Sequence, residues 1–265
     1  MIKLIGIPYD GNSSYKKGSA LAPSRIRLMD AEGSANRFCE HGVEIVEGEN
    51  YIDLGDLTFL DDNPEWVYRK IKQTILNELT PRDKIISFGG DHSISFPVIE
   101  AHTNSYKNLN VLHFDAHADL YDNFADNPFS HASPFARLME KGIVKSLTQV
   151  GVRTLNTHQK EQAQKFNVKI IEMKDFNMSF IKNLKGPLYI SLDLDVLDPA
   201  FAPGVSHHEP GGLSTRDLIS MIQQINVPII GADIVELNPT RDVNNVTAMV
   251  AYKLFKEIVS KMIKI

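Results

Sequence analysis

The chain of 265 residues is 43% hydrophobic and 23% charged, which is typical of a folded globular protein and argues against disorder. Its formal net charge of -5 argues against a general binder of nucleic acid or of membrane surfaces, and leaves a small cationic partner open. Cys39 is the only cysteine, which excludes an internal disulfide and a cysteine-rich zinc site; without a signal sequence or a bilayer-length apolar run, we expect a cytoplasmic protein.

Predicted strands and helices alternate along the chain. Runs rich in β-formers predict about eight strands, at residues 2–7, 43–46, 84–88, 110–114, 148–152, 168–171, 187–192 and 228–237. Helical spacing of apolar residues predicts helices at 64–79, 214–225 and 245–263. Asn63 can cap the first of these helices, and Ser214 can cap the second with Asp217 three positions on.

The runs LYISL and KIISF are largely apolar without strict alternation, as in strands that are covered on both faces. Together with the alternating helices, they predict a three-layer α/β/α fold around a parallel sheet. No repeat or flexible linker divides the chain, so we expect a single domain over residues 1–265. In such folds ligands bind beyond the carboxyl ends of the strands, and charged residues there are the candidates for a site.

The motif GGDHS directly follows the strand-like run at 84–88. Its glycines allow a tight turn, and Asp91 can orient His92 over the strand end. Taken alone, the motif is equally compatible with a turn that holds a hydrogen-bonded histidine.

The motif HFDAHAD ends the run at 110–114 and places Asp115, His117 and Asp119 at every second position. In extended backbone these side chains share a face and can converge on one point. Val111 and Leu112 mark the strand as buried, where unpaired charges cost several kcal/mol each. This disfavours the alternative of three solvated surface residues.

Two further acidic motifs end the runs at 187–192 and 228–237. In SLDLDVLD, Asp193 and Asp195 share a face, and two such buried carboxylates repel each other unless a cation lies between them. In GADIVELNPTRD, Asp233 is a candidate structural acid and Glu236 a candidate substrate contact. The spacing alone leaves the role of Glu236 open.

Four carboxylates and two imidazoles, with no thiolate, make up the candidate metal ligands. They are His92, Asp115, His117, Asp119, Asp193 and Asp195. This oxygen-rich set favours Mn²⁺ or a similar ion over a structural zinc. Six ligands suit a pair of ions about 3.5–4 Å apart that share a hydroxide, so the set predicts metal-assisted hydrolysis.

At these residues the sequence resembles the ureohydrolase family of arginases, agmatinases and formimidoylglutamases, and it is most similar to agmatinases. The resemblance rests on GGDHS, DAHAD, SLDLDVLDPAFAPGVSHHEPGG and DIVELNP in that order, and the N-terminal GNSSYKKGSALAPSRIR extends it over nearly the whole chain. It implies an arginase-like α/β/α fold with a mainly parallel sheet of about eight strands, assembled into trimers or hexamers.

The resemblance also implies two manganese ions per subunit. The implied roles of the ligands are bridging for Asp115 and Asp193, completion of one ion for His92 and Asp119, and completion of the other for His117 and Asp195. A metal-bridging hydroxide would attack the guanidinium carbon of the substrate. Asp119 would orient that hydroxide and move its proton.

Two residues outside the ligand set match the family's substrate-handling groups. Glu236 matches the acid that binds the guanidinium, whose planar donors suit a carboxylate. His131, in SHASPFARLME, matches a histidine thought to shuttle protons near the leaving amine. A helix-capping role is the alternative for His131.

The loop DLYDNFADNPFSHASPF bears on the substrate. It lacks the Ser-Gly-Asn-x-His stretch with which arginases hold the α-carboxylate and α-amino groups, and its SHASPF resembles agmatinases. Asp122 and Asp126, without any Arg or Lys, favour an amine-ended substrate. We therefore expect the hydrolysis of agmatine to putrescine and urea.

Alternatives to this reading are an arginase or another guanidino-acid hydrolase, such as one acting on guanidinobutyrate. The segment VSHHE stands where many agmatinases have Thr-Gly-Thr-Pro-Glu, so His207 and His208 either line the mouth of the site or are exposed loop histidines. A zinc-dependent deacetylase-like hydrolase is disfavoured by six ligands. A catalytically silent scaffold is disfavoured by the complete ligand set together with Glu236.

Overall fold

The computed structural model describes residues 1–264. Its strands are β1 (Ile2–Ile7), β2 (Tyr51–Asp56), β3 (Lys84–Gly89), β4 (Asn110–Phe114), β5 (Ser146–Val152), β6 (Lys169–Glu172), β7 (Leu188–Asp193) and β8 (Ile229–Val235). Its α-helices are α1 (Ala22–Ala31), α2 (Pro64–Glu78), α3 (Ser95–Ser105), α4 (Pro134–Lys141), α5 (Thr157–Lys165), α6 (Thr215–Gln224) and α7 (Val246–Lys264). No helix within residues 1–264 is both long and apolar enough to cross a membrane.

All the strands pair in parallel in one eight-stranded sheet. The order across the sheet is β2-β1-β3-β8-β7-β4-β5-β6. This confirms the predicted parallel sheet of about eight strands.

The predicted strand at 43–46 is wrong, and β2 takes its place at the edge of the sheet. The segment makes only an isolated antiparallel bridge, between Phe38 and Glu44. The sequence of β2, YIDLGD, contains two acids and a glycine, so it lacks the apolar run that marks a buried strand. An edge strand has a neighbour on one side only, and charged residues are common there because they discourage further pairing.

Helices cover both faces of the sheet. On one face, α1, α6 and α7 bury Ile26, Leu218 and Leu254 in a common core with the sheet. On the other face, α2 to α5 contribute to a second core, which contains Ile71 of α2 and Phe135 of α4. The three layers predicted from the alternation of strands and helices are therefore confirmed.

Two predicted helix caps are present. The side chain of Asn63 accepts hydrogen bonds from the backbone N–H groups of Glu65 and Trp66, at the start of α2. Ser214 and Asp217 form a reciprocal capping box at the start of α6. Each cap provides partners for N–H groups that the first turn of a helix leaves unpaired.

The four strands that carry the acidic and histidine motifs are neighbours in the middle of the sheet. They lie in the order β3-β8-β7-β4. Their register places Phe88, Ile234, Leu192 and Phe114 side by side, so the four strands end at nearly the same level. Parallel strands also end at the same edge, and the four motifs, scattered over more than half of the chain, therefore meet there.

A buried histidine in α3 makes the stability of the fold depend on pH. His102 in α3 is fully buried, and burial lowers its pKa from 6.5 to about 4. The unfolded chain therefore binds this proton first as the pH falls, and the folded state loses stability between pH 6.5 and 4. Replacing His102 with Gln should reduce the loss between pH 7 and 5 by about 2 kcal/mol.

The measurement is denaturant-induced unfolding of both proteins at the two pH values, with EDTA present so that metal occupancy is constant. Equal losses of stability in the variant and in the unsubstituted protein would contradict this account of His102.

Candidate metal centre and active site

Three carboxylates converge on one ring nitrogen of a buried histidine. His92 Nδ1 lies 3.1 Å from an Oδ2 atom of each of Asp115, Asp119 and Asp193. All four residues are buried. They come from the carboxyl ends of β3, β4 and β7, as the four-motif prediction requires.

A second group lies beside the first and shares Asp115 with it. His117 Nδ1 lies 2.9 Å from Asp195 Oδ2 and 3.3 Å from Asp115 Oδ1. The two oxygens of Asp115 thus face different histidines, which is the arrangement that a ligand shared by two ions needs. Asp193 differs, because its Oδ1 accepts a hydrogen bond from the Asp195 backbone N–H at 2.8 Å and only its Oδ2 faces His92.

Burial and mutual repulsion perturb the carboxyl groups. Burial, with the charges of Asp195 and Asp115, raises the pKa of Asp193 well above its usual range. Burial and Asp115 likewise raise the pKa of Asp195. Burial also acts to raise the pKa of Asp115, but the surrounding histidines outweigh it and hold this pKa well below the usual range. A bound cation would relieve the repulsion that raises the first two values.

The hydrogen bonds of His92 identify which ring nitrogen is free to bind a metal. Ser191 donates its hydroxyl proton to Asp233 Oδ1 at 2.7 Å, so its oxygen accepts from His92 Nε2–H at 3.0 Å. Tyr189 donates to the other oxygen of Asp233 at 2.8 Å. His92 Nδ1 therefore carries a lone pair that faces three carboxylates and makes no hydrogen bond within residues 1–264. The donors present fit a divalent cation.

His113 is a member of this cluster that the sequence analysis did not single out. Gln149 donates its amide N–H to His113 Nδ1 at 2.9 Å, so His113 Nε2–H donates to Asp115 Oδ2 at 2.8 Å. His113 lies two positions before Asp115, and the every-second-residue rule applied to the rest of HFDAHAD also places it on the same face. That signal was available in the sequence.

Arg153 connects the metal-binding loop to the mouth of the site. Its guanidinium donates to the backbone carbonyls of Asp195 at 2.7 Å and Glu209 at 2.6 Å. It also bonds the carbonyls of Gly151 and Val196. This role of Arg153 could not be predicted from the sequence, because most of its partners are backbone atoms of distant segments.

Two residues of the site have strained backbone conformations. Asp119 has a φ of 49° and Glu236 a φ of 64°, both in the left-handed region that residues with a Cβ seldom adopt. Such conformations cost about 1 kcal/mol or more each and persist where the surroundings impose them. Here they accompany a candidate metal ligand and the candidate guanidinium-binding acid.

Glu236 and His131 form a buried pair beside the metal-binding cluster. Glu236 Oε1 accepts hydrogen bonds from the His92 backbone N–H and from His131 Nδ1, each at 2.9 Å. Burial acts to lower the pKa of His131, but Glu236 outweighs it and raises the pKa to about 9. His131 does not cap a helix, because α4 begins at Pro134 with Ser133 before it.

A pocket of about 220 Å³ opens onto these residues. Four of the six candidate metal ligands are part of its lining, which consists of Ser14, His117, Asp119, Tyr121, Phe124, His131, Ala132, Thr154, Gln159, Asp193, Asp195, His207, Glu209 and Glu236. His207 is half-buried in this lining, whereas His208 is exposed and bonded to the Pro203 carbonyl. Asp122 and Asp126 are exposed and are not part of the lining; Asp122 pairs with His158 at 3.2 Å.

Residues 1–260 match the arginase family. The chain belongs to the arginase family. Arginase 1, mitochondrial, of Arabidopsis thaliana is 42% identical over 98% of this chain and 81% of its own length. The agmatinase of Bacillus subtilis (strain 168) is 30% identical over 98% of this chain and 91% of its own length.

A solved arginase-family structure shows the same fold. The arginase from Medicago truncatula superposes with a TM-score of 0.92 at 39% sequence identity, over 98% of this chain and 87% of that one. The resemblance seen in the four motifs is thus confirmed, and the protein is an arginase-family ureohydrolase that acts on guanidino C–N bonds.

The hydrogen bonds that link Gln149, His113 and Asp115 predict that loss of the Gln149 amide weakens metal binding. Replacing Gln149 with Met keeps the volume but removes the amide that fixes the tautomer of His113, so Asp115 loses a fixed donor. Loss of such a supporting hydrogen bond weakens metal binding by roughly ten- to hundred-fold in other proteins. Isothermal titration of EDTA-stripped protein with Mn²⁺ measures the effect.

Gln73→Met, on the exposed surface of α2, is the matched control and should bind Mn²⁺ like the unsubstituted protein. Unchanged affinity in Gln149→Met would remove Gln149 and His113 from the account of the metal centre.

Proposed function

We propose that this ureohydrolase converts L-arginine to L-ornithine and urea with two manganese ions. The observation that carries the choice of substrate is the comparison with relatives: arginase 1 of Arabidopsis thaliana is 42% identical over 98% of the chain, against 30% over 98% for the Bacillus subtilis agmatinase. The pocket also supports the proposal, because its lining offers neutral donors for the α-carboxylate of arginine and one acid, Glu209, for the α-ammonium group.

The metal ligands we propose are the six predicted ones. They are His92, Asp115, His117, Asp119, Asp193 and Asp195. Hard oxygen donors with two imidazoles suit Mn²⁺. Bound divalent cations would supply positive charge and activate a water molecule near neutral pH. In the chain itself, Asp119 lies at the pocket wall, where it can accept a proton from that water.

Glu236 is the proposed guanidinium-binding residue. Its Oε1 is held by His92 and His131, which orients the carboxylate and leaves Oε2 for the substrate. A charge-assisted bond from the guanidinium N–H groups to Oε2 would place the guanidinium carbon between Glu236 and the metal ligands. His131, bonded to Glu236, is the proposed source of a proton for the leaving amine.

The mouth of the pocket can bind the far end of arginine. Tyr121 accepts a hydrogen bond from Asn156, so its own O–H proton is free, and Gln159 and His207 offer further N–H donors. These three groups can bind an α-carboxylate, and Glu209 can pair with an α-ammonium group.

Agmatine is the second candidate, and one observation favours it. The described lining of the pocket contains neither Lys nor Arg, so no lysine or arginine side chain there can pair with the α-carboxylate of arginine. Asp122 and Asp126, expected to favour an amine-ended substrate, do not support agmatine, because both residues lie outside the pocket lining.

A panel of guanidino compounds tests the substrate. With Mn²⁺-loaded protein, urea release should have a kcat/KM for L-arginine that exceeds the values for agmatine and guanidinobutyrate by at least roughly ten-fold, the ratio expected from about 1.4 kcal/mol of extra binding at the α-groups. Turnover of agmatine without turnover of arginine would contradict the proposal and support the second candidate.

Replacing Glu236 with Gln tests the guanidinium contact. The change keeps the shape but removes the charge that pairs with the substrate, so kcat/KM should fall roughly 100-fold. Manganese content, measured by elemental analysis, should stay at two ions per chain. Asp122→Asn, outside the pocket, is the control and should keep full activity; a selective loss of manganese in Glu236→Gln would instead assign this acid to the metal centre.

A further inference from the structure

The N-terminal loop before α1 reaches into the active site and is anchored there. The Asn12 backbone N–H donates to Asp91 Oδ2 at 2.9 Å, and the Asn12 side chain donates to Ser93 Oγ at 3.1 Å. The Asn12 carbonyl accepts from the His131 backbone N–H at 3.3 Å. Residues around Asn12 are therefore fixed to both the GGDHS turn and the segment that carries His131.

Two residues further on, Ser14 makes a double contact with the ring of His131. The Ser14 backbone N–H donates to His131 Nε2 at 3.1 Å, and the Ser14 hydroxyl lies 2.8 Å from the same nitrogen. A backbone N–H can only donate, so it favours an unprotonated Nε2. The ring proton then resides on Nδ1, which donates to Glu236 Oε1 at 2.9 Å.

This arrangement gives the Nε2 side of the ring a polar route to the pocket. Nδ1 faces Glu236, and the centroid of the ring lies 5.5 Å from that of the tilted His207 ring. Ser14 and His131 both line the pocket, and the Ser14 hydroxyl, 2.8 Å from Nε2, can pass a proton between this nitrogen and the pocket.

We propose that Ser14 is a positioning and relay residue for His131: its backbone amide selects the Nδ1–H tautomer, and its hydroxyl carries protons between Nε2 and the pocket. This rests on the proposed function in one respect, namely that His131 transfers a proton to the leaving amine. In the step itself, a protonated Nε2 gives its proton to Ser14 Oγ while the Ser14 hydroxyl proton passes to the amine nitrogen. One proton moves in total, and the serine hydroxyl is regenerated.

The charged groups around His131 set the direction of the expected pH effect. Glu236, Asp91 and Asp119 favour the protonated ring, whereas the Ser14 amide N–H opposes it. Burial, with the charge of His131, lowers the pKa of His207. When the ring is protonated, Ser14 Oγ is the acceptor for Nε2–H, and its loss should lower the pKa of His131 by about one unit.

The kinetic test compares Ser14→Ala with Ser14→Thr, which restores a hydroxyl. In Mn²⁺-loaded protein, Ser14→Ala should lower kcat at least roughly ten-fold, a part of the 10²–10⁴ that proton transfer by a side chain contributes, with KM changed less than about two-fold. The limb of the pH profile of kcat that reports the pKa of His131 should shift to lower pH by about one unit. Ser14→Thr should recover most of both losses.

Ser13→Ala is the matched control, because Ser13 is in the same loop and its hydroxyl lies 3.5 Å from Asp91 instead of near His131. Its kinetics should equal those of the unsubstituted protein. An unshifted pH limb in Ser14→Ala, or an equal defect in Ser13→Ala, would overturn the proposal.

A spectroscopic test needs no turnover and so separates this proposal from the assignment of the substrate. In full-length protein labelled with ¹⁵N-histidine and loaded with diamagnetic Mg²⁺, the His131 nitrogens should have the shifts of an Nδ1–H tautomer at pH values above their titration midpoint, assigned by their absence in His131→Asn. Ser14→Ala should lower the titration midpoint of these signals. An Nε2–H tautomer, or a midpoint that Ser14→Ala leaves in place, would overturn the proposal whichever guanidino compound proves to be the substrate.

Discussion

Repulsion between carboxylates at a buried sheet edge is the constraint on which the rest of the site depends. Asp115, Asp193 and Asp195 lie where water has little access, and each charge raises the free energy of its neighbours. Hydrogen bonds from His113, the Asp195 amide and the Ala116 amide offset only a part of this cost. A bound divalent cation would offset the remainder of this cost.

Much of the fold and the cluster was predictable because both follow from local patterns. Apolar runs covered on both faces identify buried parallel strands, and same-face spacing places Asp115, His117 and Asp119 together beyond β4. The edge strand β2 escaped prediction because an edge need not be apolar. His113 escaped although the same spacing includes it, because its role depends on Gln149 from a different strand.

Features that arise from distant segments were not predictable from local patterns. Ser14 and His131 are hydrogen-bonded although they are 117 positions apart in the chain. Arg153 donates to backbone carbonyls, which any residue type would supply. Nearness in sequence was also misleading. Asp122 and Asp126 are close in sequence to metal ligands, yet both are exposed and lie outside the pocket lining. Composition near a motif is a weak guide to the lining of a pocket, since loops turn side chains in and out over a few residues.

The left-handed backbone at Asp119 and Glu236 has a consequence for how the protein can change. Glycine at either position would relieve the steric cost of this backbone conformation, since it has no Cβ. It would also delete the carboxylate. At these two positions the residue type that the backbone conformation favours therefore differs from the residue type that the site needs, and the strain is retained together with the carboxylate.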